Sequence, residues 1–197
     1  MKRVLAALAA GTLMTGCTTL MKTPETDVDR AWATHREALE QVRAFELSAR
    51  VASGGLFGMK GSMVWRQRQD DFEIRVSGPF GVGALKLSGR VDDVTLTTKK
   101  GSFHTDDPDA YLRENLGWSL PVEGLRYWIL GLPSPFSDSE ISLDEYGRVV
   151  EMDQDDWTVE YNEYAEPGEL ELPRKLTLTH PEVRIKVVVD DWSDVAR

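Results

Sequence analysis

The chain has 197 residues, a single cysteine, and 23 Lys+Arg against 33 Asp+Glu, for a formal net charge of -10. One cysteine cannot close an internal disulfide or build a multi-thiolate metal centre, and an acidic balance opposes binding to a phosphate backbone, which needs clustered Lys and Arg. Nucleic acid is therefore excluded as an expected partner, while 41% apolar and 28% charged residues fit one globular domain with a proper core.

Met1-Lys2-Arg3 is a short positive segment and Val4 to Met14 an apolar run, too short to span a membrane but suited to an export signal. The run ends in Leu13-Met14-Thr15-Gly16-Cys17, which resembles the bacterial lipobox, with Met14 where Leu is usual. That resemblance implies that residues 1–16 are a lipoprotein signal peptide and that Cys17 becomes the lipidated first residue. Loss of Lys2 and Arg3 would move the charge from -10 to -12. Three acyl chains, at about 0.8 kcal/mol per buried methylene, would anchor such a protein durably. Thr18 stands where an Asp would mark inner-membrane retention, so the expected address is the periplasmic face of the outer membrane. Residues 17–26 read as a lipidated tether, polar and carrying Pro24, and residues 27–197 as the folded domain.

Val28, Trp32, His35, Leu39, Val42 and Phe45 recur at helical spacing, and Thr26 with Asp29 forms a capping-box pattern at the start. After Phe45 the period drops to two. Leu47/Ala49/Val51, Met63/Trp65, Phe72/Ile74/Val76, Leu85/Leu87, Val94/Leu96, Ile141/Leu143, Val150/Met152, Trp157/Val159/Tyr161, Leu176/Leu178 and Ile185/Val187/Val189 alternate with polar residues between Gly-, Pro- and Asp-rich turns. With a short strand near Ser102 to Thr105, this predicts about eleven antiparallel strands. Two short helices interrupt them. Asp107-Pro108 opens one that Gly117 ends, and Pro121 opens an apolar one that stops at Gly131. The expected fold is mainly β, one curved antiparallel sheet with helices on its inner side. Its concave face either fills with side chains or encloses a cavity.

Several motifs occur in order: Trp32-x-x-His35, Ala49-Arg50, Trp65-x-Gln67, Gly78-Pro79-Phe80-Gly81, Leu120-Pro121-Val122, and Leu125-Arg126-x-Trp128-Ile129-x-Gly131-x-Pro133. They continue with Trp157-x-Val159-x-Tyr161, Leu172-Pro173-x-Lys175-Leu176 and Arg184-Ile185-x-Val187 leading to Trp192. This ordered set resembles the LolB family of outer-membrane lipoproteins, with Ala49 in place of a common Gly and Phe80 in place of a common Leu. The resemblance implies an open, incomplete β-barrel whose helices form a lid over an apolar cavity. It further implies that the cavity takes up the acyl chains of lipoproteins delivered by the LolA-like periplasmic carrier, for incorporation into the outer membrane. No cofactor is implied, and no phosphate-binding G-x-x-x-x-G-K-[ST] loop occurs.

The inward apolar positions that would line such a cavity, or simply fill a core, are Leu47, Met63, Trp65, Ile74, Leu85, Leu87, Leu96, Leu125, Trp128, Ile129, Met152, Trp157, Leu176, Leu178 and Ile185. The Gly78-Pro79-Phe80-Gly81 turn presents an aromatic side chain where turns normally carry polar ones. In the resembled family the apolar residue of this loop enters the membrane; the bland alternative is a Phe80 folded back on the sheet edge. Arg50, one position off the inward series, either bonds lid carbonyls or faces solvent, the latter favoured. Catalysis has little support, because His35, His104 and His180 lie in no H-E-x-x-H pattern and no G-x-S-x-G elbow is present. Asp106 and Asp107 beside His104 read as an acidic helix start rather than a metal site, and a monomer is expected. The competing reading is a lipoprotein that binds another amphiphile or acts as an envelope-assembly scaffold.

Overall fold

A computed structural model describes residues 26–54, 60–78, 85–90, 92–116, 122–165 and 170–197. Helix α1 (Asp27–Glu40) opens with the expected capping box: the Thr26 hydroxyl accepts from the Asp29 N–H, and the Asp29 carboxylate accepts from the Thr26 N–H. The helix ends sooner than its apolar spacing suggests. The Gln41 and Val42 N–H groups both turn back to the Leu39 carbonyl, and the Arg43 N–H already donates to Ala196 of the sheet. Val42 and Phe45 therefore continue the apolar series from a turn and a strand, and Phe45 packs between Trp65 and Trp192.

The described residues form eleven strands: β1 (Ala44–Ser53), β2 (Lys60–Arg68), β3 (Asp71–Ser77), β4 (Leu85–Arg90), β5 (Asp93–Thr98), β6 (Gly101–Thr105), β7 (Ser139–Leu143), β8 (Val149–Gln154), β9 (Trp157–Tyr164), β10 (Pro173–His180) and β11 (Val183–Ala196). They make one antiparallel sheet in the order β6-β5-β4-β3-β2-β1-β11-β10-β9-β8-β7. The first and last strands of this order do not pair, so the barrel is open. The segment joining those two free edges carries α2 (Pro108–Leu116) and α3 (Val122–Trp128). Placing both helices in this connection folds them against the concave face, where Leu112, Val122 and Trp128 are buried. Asp107 accepts a bond from the Ala110 N–H, as an N-cap should, and His104 pairs instead with Asp93 across the β5–β6 hairpin.

The alternation holds along most strands but slips in β8. Ser142 faces Glu151 whereas Leu143 faces Val149, so Val150 is the extra residue of a β-bulge. Val149 is fully buried and Val150 is exposed, which reverses the inward position expected for Val150. At the β7–β8 turn, Gly147 has φ +77°, and a Cβ there would lie 2.6 Å from the Trp32 backbone nitrogen. Only glycine permits α1 to lie so close to that turn. On the outer face, the Lys86 ammonium and the Arg75 guanidinium bonded to Glu73 hold its carboxyl down at about 2, which ties β3 to β4. Arg50 belongs to this face too. Its guanidinium is bonded to Asp190 of β11 at 2.8 Å, away from the lid helices, which corrects the lid-carbonyl alternative for that residue.

Candidate functional site

Between the concave face of the sheet and α2/α3 lies a cavity of about 180 Å³. Eleven of the expected wall positions meet there: Met63 and Trp65 from β2, Ile74 from β3, Leu85 and Leu87 from β4, Leu125 and Trp128 from α3, Ile129 just after it, Leu176 and Leu178 from β10, and Ile185 from β11. Leu47, Leu96 and Met152 are buried in the core but do not border the space. Trp157 lines a separate polar groove of about 540 Å³ with Asp155, Asp156 and His180.

The wall also contains Val51, Ala52, Ser53, Val76, Leu112, Val122 and Val187. Val51, Val76 and Val187 share the period-two phase of their strands, so the alternation itself could have found them. Val122 lies on the apolar face of α3. Ala52 and Ser53 border the space because β1 ends there, a feature that no sequence period reports. Ser53 is the one wall residue with a polar aliphatic side chain.

The two tryptophans of the wall show how an apolar lining is kept. The Trp65 indole N–H donates to Gln67, whose amide donates to the Gln69 carbonyl. The Trp128 indole N–H donates to Gln154 at 2.8 Å. With both polar edges satisfied by the protein, the rings offer carbon to the cavity. Gln154, only 3% exposed, also accepts from the Ser134 N–H and donates to the Ser134 and Ser137 carbonyls. The Tyr161 hydroxyl donates to the Trp128 carbonyl at 2.9 Å, and burial pushes that phenol well above its usual range, so it stays a donor. The C-terminal end of α3 is thereby bolted to β8 and β9.

Two bonds to carboxylates tie the rest of the lid. Asp109 of α2 accepts from the Val122 N–H of α3 at 3.0 Å, with its carboxyl raised by burial, and Arg126 of α3 reaches Asp70 in the β2–β3 turn at 3.2 Å. A cavity of this volume is smaller than the roughly 300–1,000 Å³ of small-molecule sites. Gly78 sits half-buried at the end of β3, while Pro79, Phe80 and Gly81, like Cys17, lie outside the described residues. The pairing of Val76 with Leu85 sets the start and end of that β3–β4 connection at the rim where Ser53, Val76, Leu85 and Ile185 border the cavity.

The family model described as outer membrane lipoprotein LolB matches residues 44–192. An outer-membrane lipoprotein LolB of Chromohalobacter salexigens is 36% identical, covering 96% of this chain and 90% of that relative. One from Pseudomonas aeruginosa is 35% identical over 96% of this chain and 95% of its own length. Among solved structures, a DUF1329 family protein from Desulfovibrio piger shares the fold with a TM-score of 0.50 at 6% identity, covering 86% of this chain and 94% of the other.

Proposed function

The chain belongs to the LolB family of outer-membrane lipoproteins, and from that premise we propose that its cavity receives the acyl chains of lipoproteins from a LolA-like periplasmic carrier and releases them into the outer membrane. The observation that carries this reading is the cavity wall, which is carbon almost throughout and is closed on one side by two short helices. The physical need is large. Each acyl chain of a triacylated protein costs on the order of ten kcal/mol to hydrate, so cargo cannot cross water uncovered. A wall of Met63, Trp65 and branched aliphatics suits a guest that has no polar features to read.

In this reading residues 1–16 direct export, Cys17 carries the acyl anchor, residues 17–26 are the tether, and residues 27–197 act as a monomeric receptor domain. The residues that border the cavity hold the acyl chains, and the Gly78–Gly81 loop meets the bilayer. Transfer needs no catalysis and no cofactor. Cargo runs down a gradient of affinity from carrier to cavity to bilayer, and swinging of the lid supplies the volume that the closed cavity lacks. A soluble Cys17→Ala form is expected to bind a fluorescent long-chain fatty acid saturably, with displacement by a triacylated lipopeptide. Absence of saturable binding would speak for a solid-core scaffold; binding without lipopeptide competition would speak for a different amphiphile.

A further inference from the structure

The charges of this acidic chain are segregated along the sheet. From Leu47 to Thr105, which spans nearly all of β1 to β6, nine residues are basic and five acidic; from Asp106 to Arg197, eight are basic and twenty-two acidic. Four of the five acidic residues in the first part, Asp70, Asp71, Asp92 and Asp93, sit in or beside the β2–β3 and β4–β5 turns, at the end of the sheet away from the cavity rim. The fifth, Glu73, is neutralised by Lys86 and Arg75.

The rim itself is lysine-rich. Lys186 of β11 and Lys60 of β2 flank Ala52 of β1 in one cross-strand row, and Lys99 and Lys100 form the β5–β6 turn at the same end. All four are exposed, and none forms an ion pair with a described residue. On the β1–β6 side of this end, no Asp or Glu occurs in stretches 51–54, 60–64, 74–78, 85–88 and 95–102, nor in 185–188 of β11; the acidic turns of this end, Asp155-Asp156 and Glu182, lie on the β8–β11 side. The cavity reaches this end through Ser53, Leu85 and Ile185.

We propose that the lysines Lys60, Lys99, Lys100 and Lys186 dock on the anionic headgroups of a phospholipid surface and so turn the β1–β6 side of the cavity mouth toward the bilayer. This rests on the delivery reading above and adds to it a lipid class and an orientation. A long acyl tether leaves the domain free to rotate, and hydrophobic anchoring alone cannot choose which end faces the membrane. Charge can choose. The acidic β8–β10 side is repelled by an anionic surface while the lysine side of the rim is attracted, each lysine near such a surface strengthening binding about fivefold. A negatively charged face of a protein partner would attract the same lysines, and the test separates the two.

The soluble Cys17→Ala protein, floated with vesicles of phosphatidylethanolamine and phosphatidylglycerol, is expected to bind at least about tenfold better than to phosphatidylcholine vesicles, and to lose that excess at high salt. Combining Lys60→Gln, Lys99→Gln, Lys100→Gln and Lys186→Gln is expected to abolish the excess, whereas Arg174→Gln with Lys175→Gln on β10 leaves it in place. Equal binding to both vesicle types, or a quadruple variant that floats like the parent, overturns the proposal. So does a quadruple variant with unchanged flotation but slower cargo uptake from carrier without vesicles, which would assign the lysines to the carrier. Failure of the fatty-acid binding test would instead strike the delivery reading and leave lipid docking standing.

Discussion

Gln154→Ala is expected to destabilise the domain by about 3–5 kcal/mol, more than the loss of any exposed ion pair. The side chain is 3% exposed and spends all its hydrogen-bonding capacity on the buried Trp128 indole N–H, Ser134 N–H and Ser134 carbonyl and on the part-buried Ser137 carbonyl. Truncation orphans these groups, and each buried orphan costs about 1–3 kcal/mol before relaxation. Because the bonds join β8 to the end of α3 and to the chain that follows it, the damage extends to the back wall of the cavity. Urea unfolding should show a lower midpoint at an unchanged slope. A shift equivalent to less than about 1 kcal/mol would mean that the network is redundant. Leucine in place of alanine should recover packing volume but not the orphaned groups, so Gln154→Leu is expected to remain well below the parent.

The second large effect is functional. Phe80→Glu should leave unfolding and fatty-acid binding at parental values while cutting incorporation of bound cargo into liposomes by at least tenfold. Phe80 belongs to the sequence between β3 and β4, whose flanking residues Val76 and Leu85 border the cavity. An aromatic ring is at home at a lipid–water boundary, and a carboxylate there is repelled by anionic lipid and costly to bury in hydrocarbon. Phe80→Leu should retain activity, because the proposed role needs an apolar side chain and not a ring. Parental incorporation by Phe80→Glu would remove the loop from the account and return Phe80 to the sheet edge.

Much of this fold was legible from the residues because its strands are amphipathic in a simple way. Period-two alternation between Gly-, Pro- and Asp-rich turns locates ten of the eleven described strands, β6 matches the short strand expected near Ser102 to Thr105, and Thr26 with Asp29 marks the start of α1. The misplacements occur where a second geometry shares the same residues. Val42 and Phe45 continue a helical spacing from a turn and a strand, and a bulge turns Val150 outward.

The cavity was legible as a set of inward positions but not as a space. Leu47 and Met63 are directly paired to strands of the same sheet and both face inward, yet only Met63 borders the opening. Which inward residue borders the space depends on how the elements pack over the sheet, which no local period encodes. Gln154 was concealed for a related reason. It precedes Asp155-Asp156 and reads as part of a polar turn, although it is two residues beyond the buried Met152 and so shares its inward phase. The charge segregation, by contrast, is present in the linear sequence, and acquires a meaning only when the topology gathers the lysines on the β1–β6 side of the cavity rim and leaves Asp155, Asp156 and Glu182 on the other side.

The most direct test of the central claim is transfer itself. The soluble Cys17→Ala form is mixed with a LolA-like carrier already loaded with a triacylated lipoprotein, and the cargo is followed by size-exclusion chromatography. The cargo is expected to leave the carrier and elute with this chain in a one-to-one complex, then to pass to added liposomes. Cargo that stays on the carrier at a several-fold excess of the receptor would contradict the account.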